Sequence, residues 1–199
     1  SIKDRNFFEL DWSLQRHNDF LRHFRPATFV GNHDVTRIAS QVGPELAPIA
    51  VTILLTVGGI PSIYYGDERG FTGVKEERFG GDDAVRPEFT APLMGVDEHG
   101  HDVFRLHQYL IGLRRRHPWL HSAKTSPLRQ TNTQYVYETR NGSSVLLVAL
   151  NVDDAPLSLS LPELGFGQGQ IAAGSGAPPQ SVVGEAEIEP NGWLIIAPC

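Results

Sequence analysis

The sequence predicts an α/β segment followed by an all-β domain, and three observations carry that prediction. Two short apolar runs, Ala27 to Val30 and Ile60 to Tyr65, each end abruptly in polar residues, as buried strands of a parallel sheet do. A strongly apolar helical stretch lies between them, and strand–helix–strand order implies parallel strands joined by a right-handed crossover. After Pro118 the composition shifts to short alternating runs separated by turn residues, the pattern of an antiparallel β-sandwich. The boundary is set near residue 122, giving segments 1–122 and 123–199.

Taken in order, residues 1 to 10 read as a connector with Phe7 and Phe8 as packing anchors. Asp11 reads as the N-cap of a helix over 12–24, whose apolar face (Leu14, Phe20, Leu21, Phe24) is uneven. A strand over 27–31 follows. Thr36 to Val42 is helical, Gly43-Pro44 interrupts, and Glu45 to Val57 continues as a helix so apolar that it must be buried on more than one side. Gly58-Gly59 ends that helix and opens the second strand. Residues 66–100 form a long loop whose aromatics, Phe71, Phe79 and Phe89, favour an ordered site loop. Asp102 to His117 is a helix stopped by Pro118, and its Arg114-Arg115-Arg116 run reads as a solvated end that suits the helix dipole. Strands are expected at Gln134–Thr139, Ser144–Val152, Leu157–Leu161, Gln170–Ala173, Ser181–Val183, Ala186–Ile188 and Trp193–Ala197, with a hairpin turn at Asn141-Gly142 and a loop over Gly165–Pro179.

Composition narrows the function classes. The formal charge of −6 over 199 residues, with no basic block, argues against nucleic-acid and anionic-membrane partners. No run of eighteen apolar residues exists to span a membrane, and Ser1-Ile2-Lys3-Asp4 is not a signal peptide. The one cysteine, Cys199, excludes an internal disulfide and a cysteine zinc site and is compatible with a reducing, cytoplasmic compartment. His99, His101, His107, His117 and His121 show no metal-ligand spacing, and His17 and His23 carry no assigned chemistry. Trp119 and Trp193 read as core residues rather than sugar-stacking platforms.

The chemistry concentrates after the two strands. Gly31-Asn32-His33-Asp34 presents a turn former, a donor and an anion, although alone it reads equally as a turn with Asp34 or Thr36 capping a helix. About thirty residues on stands Tyr64-Tyr65-Gly66-Asp67-Glu68. Asp34 and Glu68 taken as a pair would suit a two-carboxylate glycoside hydrolysis. Phe29-Val30-Gly31-Asn32-His33-Asp34 and Gly59-Ile60-Pro61-Ser62-Ile63-Tyr64-Tyr65-Gly66-Asp67-Glu68, in this order and spacing, resemble the strand-seven and strand-eight motifs of the α-amylase family, glycoside hydrolase family 13.

The resemblance implies the C-terminal part of a (β/α)₈ TIM barrel, strands seven and eight with their helices, followed by the β-sandwich domain. It reassigns the chemistry, because the family's nucleophile and general acid follow strands four and five, regions that precede these motifs. Asp34 matches the carboxylate that grips the hydroxyls of the sugar being cleaved and stabilises the transition state. His33 matches the neighbouring donor to that sugar. Arg37 matches an arginine that holds the carboxylates or, in some branches, binds chloride, with a plain salt bridge as the alternative. Asn32, Tyr65, Gly66 and Glu68 are motif scaffold, Glu68 pairing with a base such as Arg69. Asp82 and Arg86 resemble an acid–arginine pair lining outer glucose subsites, with a surface salt bridge as the alternative.

The expected function is therefore that of the C-terminal portion of a retaining enzyme that cleaves or transfers α-glucosidic bonds, with the 199-residue chain alone inactive. Its expected partners are an α-glucan or α-glucoside and the rest of the barrel or a second copy, because two strands leave open edges and expose the apolar helix. Calcium is common in the family, and the sequence offers no convincing ligand set for it. The rival readings are a non-catalytic carbohydrate-binding or interaction module, whose sandwich would carry an exposed aromatic row including Tyr135 and Tyr137, and a catalytically dead paralogue.

Overall fold

The structure, a computed structural model, describes residues 1–88, 90, 98–175 and 179–198. Phe89, the side chain of His99, residues 176–178 and Cys199 lie outside the described residues, and the rest of the segment expected as a loop over 165–179 contains a strand, Gln168–Gly174.

Helix α1 spans Phe7–Phe20 and starts five residues before the expected point. Its N-cap is Asn6, whose side chain accepts a hydrogen bond from the Glu9 amide at 3.4 Å. Asp11 is used elsewhere: its carboxylate accepts from the Tyr135 hydroxyl at 2.8 Å. The early start has a packing cause, since Phe7 is wholly buried and sits 5.9 Å, ring to ring, from Tyr135. Strands β1 (Ala27–Thr28) and β2 (Ile60–Pro61) form a two-stranded parallel pair, with Ala27 opposite Ile60 and Thr28 opposite Pro61. With one neighbour each among the described residues, the strands are shorter than their apolar runs. Between them lie α2 (Ile38–Val42) and α3 (Ala47–Thr56), separated at Gly43, whose φ of 85° is a glycine conformation. Helix α4 covers Glu98–Arg116.

The apolar helix α3 is not exposed, contrary to expectation. Ile49, Ala50, Val51, Leu54 and Leu55 are all buried within this chain. They join one core with Leu110 and Leu113 of α4, Leu10 and Leu14 of α1, and Tyr135, Tyr137, Leu146, Val148 and Ile195 from the β region. A sheet face supplies the covering that barrel strands were expected to provide. At the strand pair, Phe29, just after β1, and Ile60 of β2 are more than half exposed.

Among the described residues from Lys124 onward all strand pairing is antiparallel. A six-stranded sheet runs in the order β3 (Lys124–Gln130), β4 (Gln134–Asn141), β5 (Ser144–Asn151), β10 (Trp193–Pro198), β7 (Gln168–Gly174), β8 (Ser181–Val183). A separate ribbon pairs β6 (Leu157–Ser160) with β9 (Glu185–Ile188). Along β4, Tyr135 and Tyr137 face the helices while Val136 faces the ribbon. On that ribbon side, Leu147, Leu157, Leu159, Ile188, Leu194 and Ile196 form a second core. The middle of the sheet is thus buried on both faces, which is why β5 and β10 read as continuous apolar runs. Strand β3 was not expected, because Pro127 and two basic residues disguise it. It is an edge strand with a register shift between Pro127 and Arg129, the setting in which proline is tolerated.

Tyr135 and Tyr137 stack at 5.3 Å and have no exposed surface, so the aromatic row required by the binding-module reading is not on this face. Trp193 is buried, and Trp119 packs half-buried against the main core. Arg114 also departs from expectation. It is 5% exposed, and its guanidinium donates to the carbonyls of Leu55, Val57 and Gly59 at 3.1, 2.8 and 2.6 Å. It therefore closes the C-terminal end of α3 and fixes the turn into β2, and burial lowers its pKa to about 10. His17 and His121 contact the Gly58 and Gly59 carbonyls of the same turn, at 3.0 and 3.2 Å.

Candidate active site at the ends of the two parallel strands

The chain beyond β1 turns sharply at Gly31, where a Cβ would lie 2.9 Å from Asp67 Oδ2. The Asn32 side-chain oxygen accepts from the Asp34 amide at 2.8 Å, an Asx-type turn that projects the next two side chains outward. His33 and Asp34 are both exposed, and His33 Nε2 lies 3.2 Å from Asp34 Oδ2. The other carboxylate oxygen is held by Arg86, whose Nη2 donates to Asp34 Oδ1 at 2.8 Å while its Nε donates to the His33 carbonyl at 2.7 Å. Arg86 Nη2 also lies 2.8 Å from Asp82 Oδ2, and Lys75 Nζ lies 3.7 Å from Asp82 Oδ1. His33, Asp34, Arg86 and Asp82 thus form one continuous polar network, although Arg86 stands fifty-two residues after Asp34.

Arg37 is placed differently from those four. Its side chain is wholly buried beneath the network. Its Nη1 donates to Asp67 Oδ1 at 2.8 Å and to the Tyr65 carbonyl at 2.7 Å, and its Nη2 donates to the Val85 carbonyl at 3.1 Å. Its guanidinium carbon also lies over the rings of Tyr64, Tyr65 and Phe71 at 4.6, 5.2 and 5.6 Å. This geometry ties the segment after β1 to the loop after β2 and leaves Arg37 no open face toward a substrate. Backbone bonds complete the tie: the Arg37 amide donates to the Gly73 carbonyl, the Gly73 amide to the Ser40 hydroxyl, and the Lys75 amide to the Thr36 hydroxyl.

Asp67 was not singled out from sequence, yet it is the partner that keeps Arg37 buried. Burial raises its carboxyl pKa, and the hydrogen bond and charge of Arg37 oppose that rise. The adjacent acids of Asp67-Glu68 were the visible signal, but no periodicity tells which of two neighbours turns inward. Glu68 Oε2 accepts from the Gly66 amide at 2.8 Å, and Arg69 Nε lies 4.0 Å from Glu68 Oε1. Gly66 holds φ 88°, and a Cβ there would come within 2.3 Å of the Phe71 ring. The Tyr65 hydroxyl donates to the Pro87 carbonyl at 2.8 Å, pinning the far end of the loop that carries Arg86.

Among the described residues no group of three or more His, Cys, Asp or Glu side chains is placed to hold a metal ion, and no helix is long and apolar enough to cross a membrane. Chemically, the network can accept and donate hydrogen bonds to a polyhydroxylated ligand. It offers one carboxylate with a histidine beside it and a guanidinium shared between Asp34 and Asp82.

Residues 2–148 match the family described as the alpha-amylase catalytic domain. The cyclomaltodextrin glucanotransferase of Geobacillus stearothermophilus is 34% identical over 125 residues, 62% of this chain and 16% of that protein. The corresponding enzyme of Bacillus sp. (strain 1-1) is 30% identical over 142 residues, 68% of this chain and 19% of that protein. The chain thus spans under a fifth of the length of these curated relatives. Among solved structures, AmyP in complex with maltose has a TM-score of 0.78 at 18% identity, over 95% of this chain and 44% of that one. The trehalulose synthase MutB of Pseudomonas mesoacidophila MX-45 has a TM-score of 0.69 at 19% identity, over 94% of this chain and 45% of that one. The likeness to these structures is one of fold, whereas the match over 2–148 reaches across both strand motifs and the polar network between them, and on it the chain belongs to the α-amylase family.

Proposed function

We propose that this chain supplies the strand-seven and strand-eight part of a (β/α)₈ barrel, residues 1–122, with a β-sandwich domain, residues 123–199, to a retaining enzyme acting on α-glucosidic bonds by hydrolysis or glucosyl transfer. The observation that carries the reading is the exposed Asp34 carboxylate at the end of β1, with His33 and Arg86 on its two oxygens. The exposed side chains of Phe29, which directly follows β1, and of Ile60 on β2, in a two-stranded pair among the described residues, support a barrel completed by further strands or by a second copy.

In this reading Asp34 accepts hydrogen bonds from two ring hydroxyls of the bound glucosyl unit. As the ring flattens toward an oxocarbenium-like transition state those bonds tighten, so the carboxylate lowers the barrier rather than merely binding substrate. His33 donates to the same ring. Arg86 exchanges its bond to Asp34 for one to the sugar while remaining anchored on Asp82, and together they form an outer subsite. Arg37, Tyr65, Gly66 and Glu68 position the two loops. The nucleophile and general acid come from elsewhere in the barrel, so the 199-residue chain binds weakly and does not turn over. Calorimetry with acarbose tests this: heat of binding is expected from the chain and is lost in Asp34→Ala. Binding unchanged in that variant removes Asp34 from the site, and α-glucosidase turnover by the pure chain overturns the assignment of the missing groups.

A further inference from the structure

Helix α1 buries one side, formed by Phe7, Leu10, Leu14 and Asn18. On another side Phe8, Trp12, Arg16 and Phe20 recur at every fourth residue and form a single ridge along the helix. Phe24, just past the helix end, extends the row, its ring 5.8 Å from that of Phe20. Phe8, Trp12, Phe20 and Phe24 are each between 47% and 59% exposed. The Arg16 guanidinium carbon lies 4.6 Å from the centre of the Trp12 ring, so this arginine runs along the row. Charge is divided along the same stretch. Residues 7–13 hold Glu9 and Asp11 and no basic residue, whereas residues 14–25 hold Arg16, Arg22 and Arg25 against one acid, Asp19.

We propose that this row is the surface on which a second copy of the chain docks, with the two α1 helices antiparallel about a twofold axis. At about 200 Å² for a whole aromatic side chain, the four half-exposed rings leave on the order of 400–500 Å² open. Two copies bury about twice that from the rings alone, and Arg16 with its flanking side chains brings the total toward the roughly 1,200 Å² at which specific interfaces begin. Charge sets the direction. A parallel pair would bring like charges together, whereas an antiparallel pair lays the acidic half of each helix on the basic half of the other. Ridges of this spacing pack side by side when the helices cross at about −50°. The midpoint of the ridge falls between Trp12 and Arg16. An axis there sets Phe8 across from Phe20 of the other copy and Trp12 across from Arg16 of the other copy, which gives each guanidinium a second indole face and keeps the two Arg16 charges apart. A membrane surface fits the row less well, because a formal charge of −6 is repelled by anionic headgroups. None of these residues belongs to the Asp34 network, so the dimer stands or falls apart from the α-glucan reading.

Sedimentation velocity over a dilution series of the 199-residue chain tests this. The expected result is a dimer that dissociates to monomers on dilution, with no larger species, because a twofold contact closes on itself. Trp12 is exposed, whereas Trp119 is half-buried and Trp193 buried, so tryptophan emission should move to the red over the same dilution range. Trp12→Phe should keep the dimer and remove that emission change. Trp12→Ser should weaken the dimer about a hundredfold, since each copy loses a ring worth about tenfold, and Phe20→Ser should act in the same direction. Added salt should weaken it further, and Phe29→Ser with Ile60→Ser should leave it unchanged. A chain that stays monomeric at every concentration overturns the proposal, as do open-ended oligomers. Association that survives Trp12→Ser and Phe20→Ser but is lost in the Phe29 and Ile60 variant assigns it to the strand pair and overturns the docking row. Association that tightens with salt overturns the antiparallel arrangement. A monomer that binds phosphatidylserine vesicles with a blue shift of Trp12 emission assigns the row to a membrane surface and overturns the dimer.

Discussion

Replacing Arg37 should cost more stability than any exposed charge in this chain, and the structure allows the size to be worked out. The side chain is wholly buried, and its partner Asp67 is 2% exposed. Arg37→Met leaves the Asp67 carboxylate buried without the Arg37 charge and removes the guanidinium's bonds to the Tyr65 and Val85 carbonyls, of which Val85 still accepts from the Tyr64 hydroxyl. Removing one member of a buried ion pair costs about 3–5 kcal/mol. The lost bonds to the two carbonyls overlap that figure in part, since Val85 keeps its bond from the Tyr64 hydroxyl. The expected total is about 4 kcal/mol, out of a stability of about 5–15 kcal/mol for an ordinary domain. At about 2–4 °C per kcal/mol for a chain of this size, the midpoint falls by about 8–16 °C. Arg37→Lys should recover little, because an ammonium cannot reach Asp67, Tyr65 and Val85 together in the planar fork that the guanidinium provides. The double variant Arg37→Met with Asp67→Leu should recover most of the loss, because it removes the stranded charge as well. Urea unfolding followed by circular dichroism gives all four corners of this cycle. A single-variant loss below about 1 kcal/mol, or a double variant no better than Arg37→Met, would refute the claim that this pair holds the two site loops together.

Three further outcomes follow from particular residues. His107 is 2% exposed, with Nδ1 2.9 Å from the Val103 carbonyl, and burial lowers its pKa. A base depressed in the folded state contributes stability that is present above its unfolded pKa of about 6.5 and is lost as pH falls through its folded value, so His107→Gln should flatten the acid limb of a melting-temperature profile below about pH 6.5. Gly66→Ala should destabilise by about 2 kcal/mol or more, read by thermal melting, because φ is 88° and the Phe71 ring stands 2.3 Å from where a Cβ would sit. Tyr137→Phe removes a hydroxyl paired with Thr56 Oγ1 in the core between α3 and the sheet, and should cost about 1–2 kcal/mol in chemical denaturation.

Much of this architecture was legible in the sequence because it depends on local signals. The strand–helix–strand order over 27–65, the break at Gly43-Pro44, the stop at Pro118 and the hairpin at Asn141-Gly142 all follow from chain punctuation. The motif residues were legible as well, and the structure brings His33, Asp34, Asp82 and Arg86 into one network. Features that depend on which surfaces meet were not legible. The apolar pattern of α3 demanded burial but could not name the covering, and the tyrosine-lined sheet face rather than barrel strands supplies it. Arg114 reads as one of three solvated arginines, because nothing in a run of like charges marks the member that turns inward to close the α3 end. The division of Asp67 and Glu68 between a buried ion pair and a backbone brace was invisible for the same reason. Strand β3 was missed because Pro127 argues against a strand unless the edge position and the bulge are already known.

The proposed function stands on the Asp34 carboxylate as a sugar-gripping half-site formed by this chain. The most direct measurement is a heteronuclear NMR titration of the 199-residue chain with acarbose, beside the same titration of Asp34→Ala. Backbone shifts are expected to be confined at low ligand concentration to the turn at residues 31–37 and the segment 82–86, and to disappear in the variant. Shifts that persist unchanged in Asp34→Ala, or that never reach either segment, would contradict it.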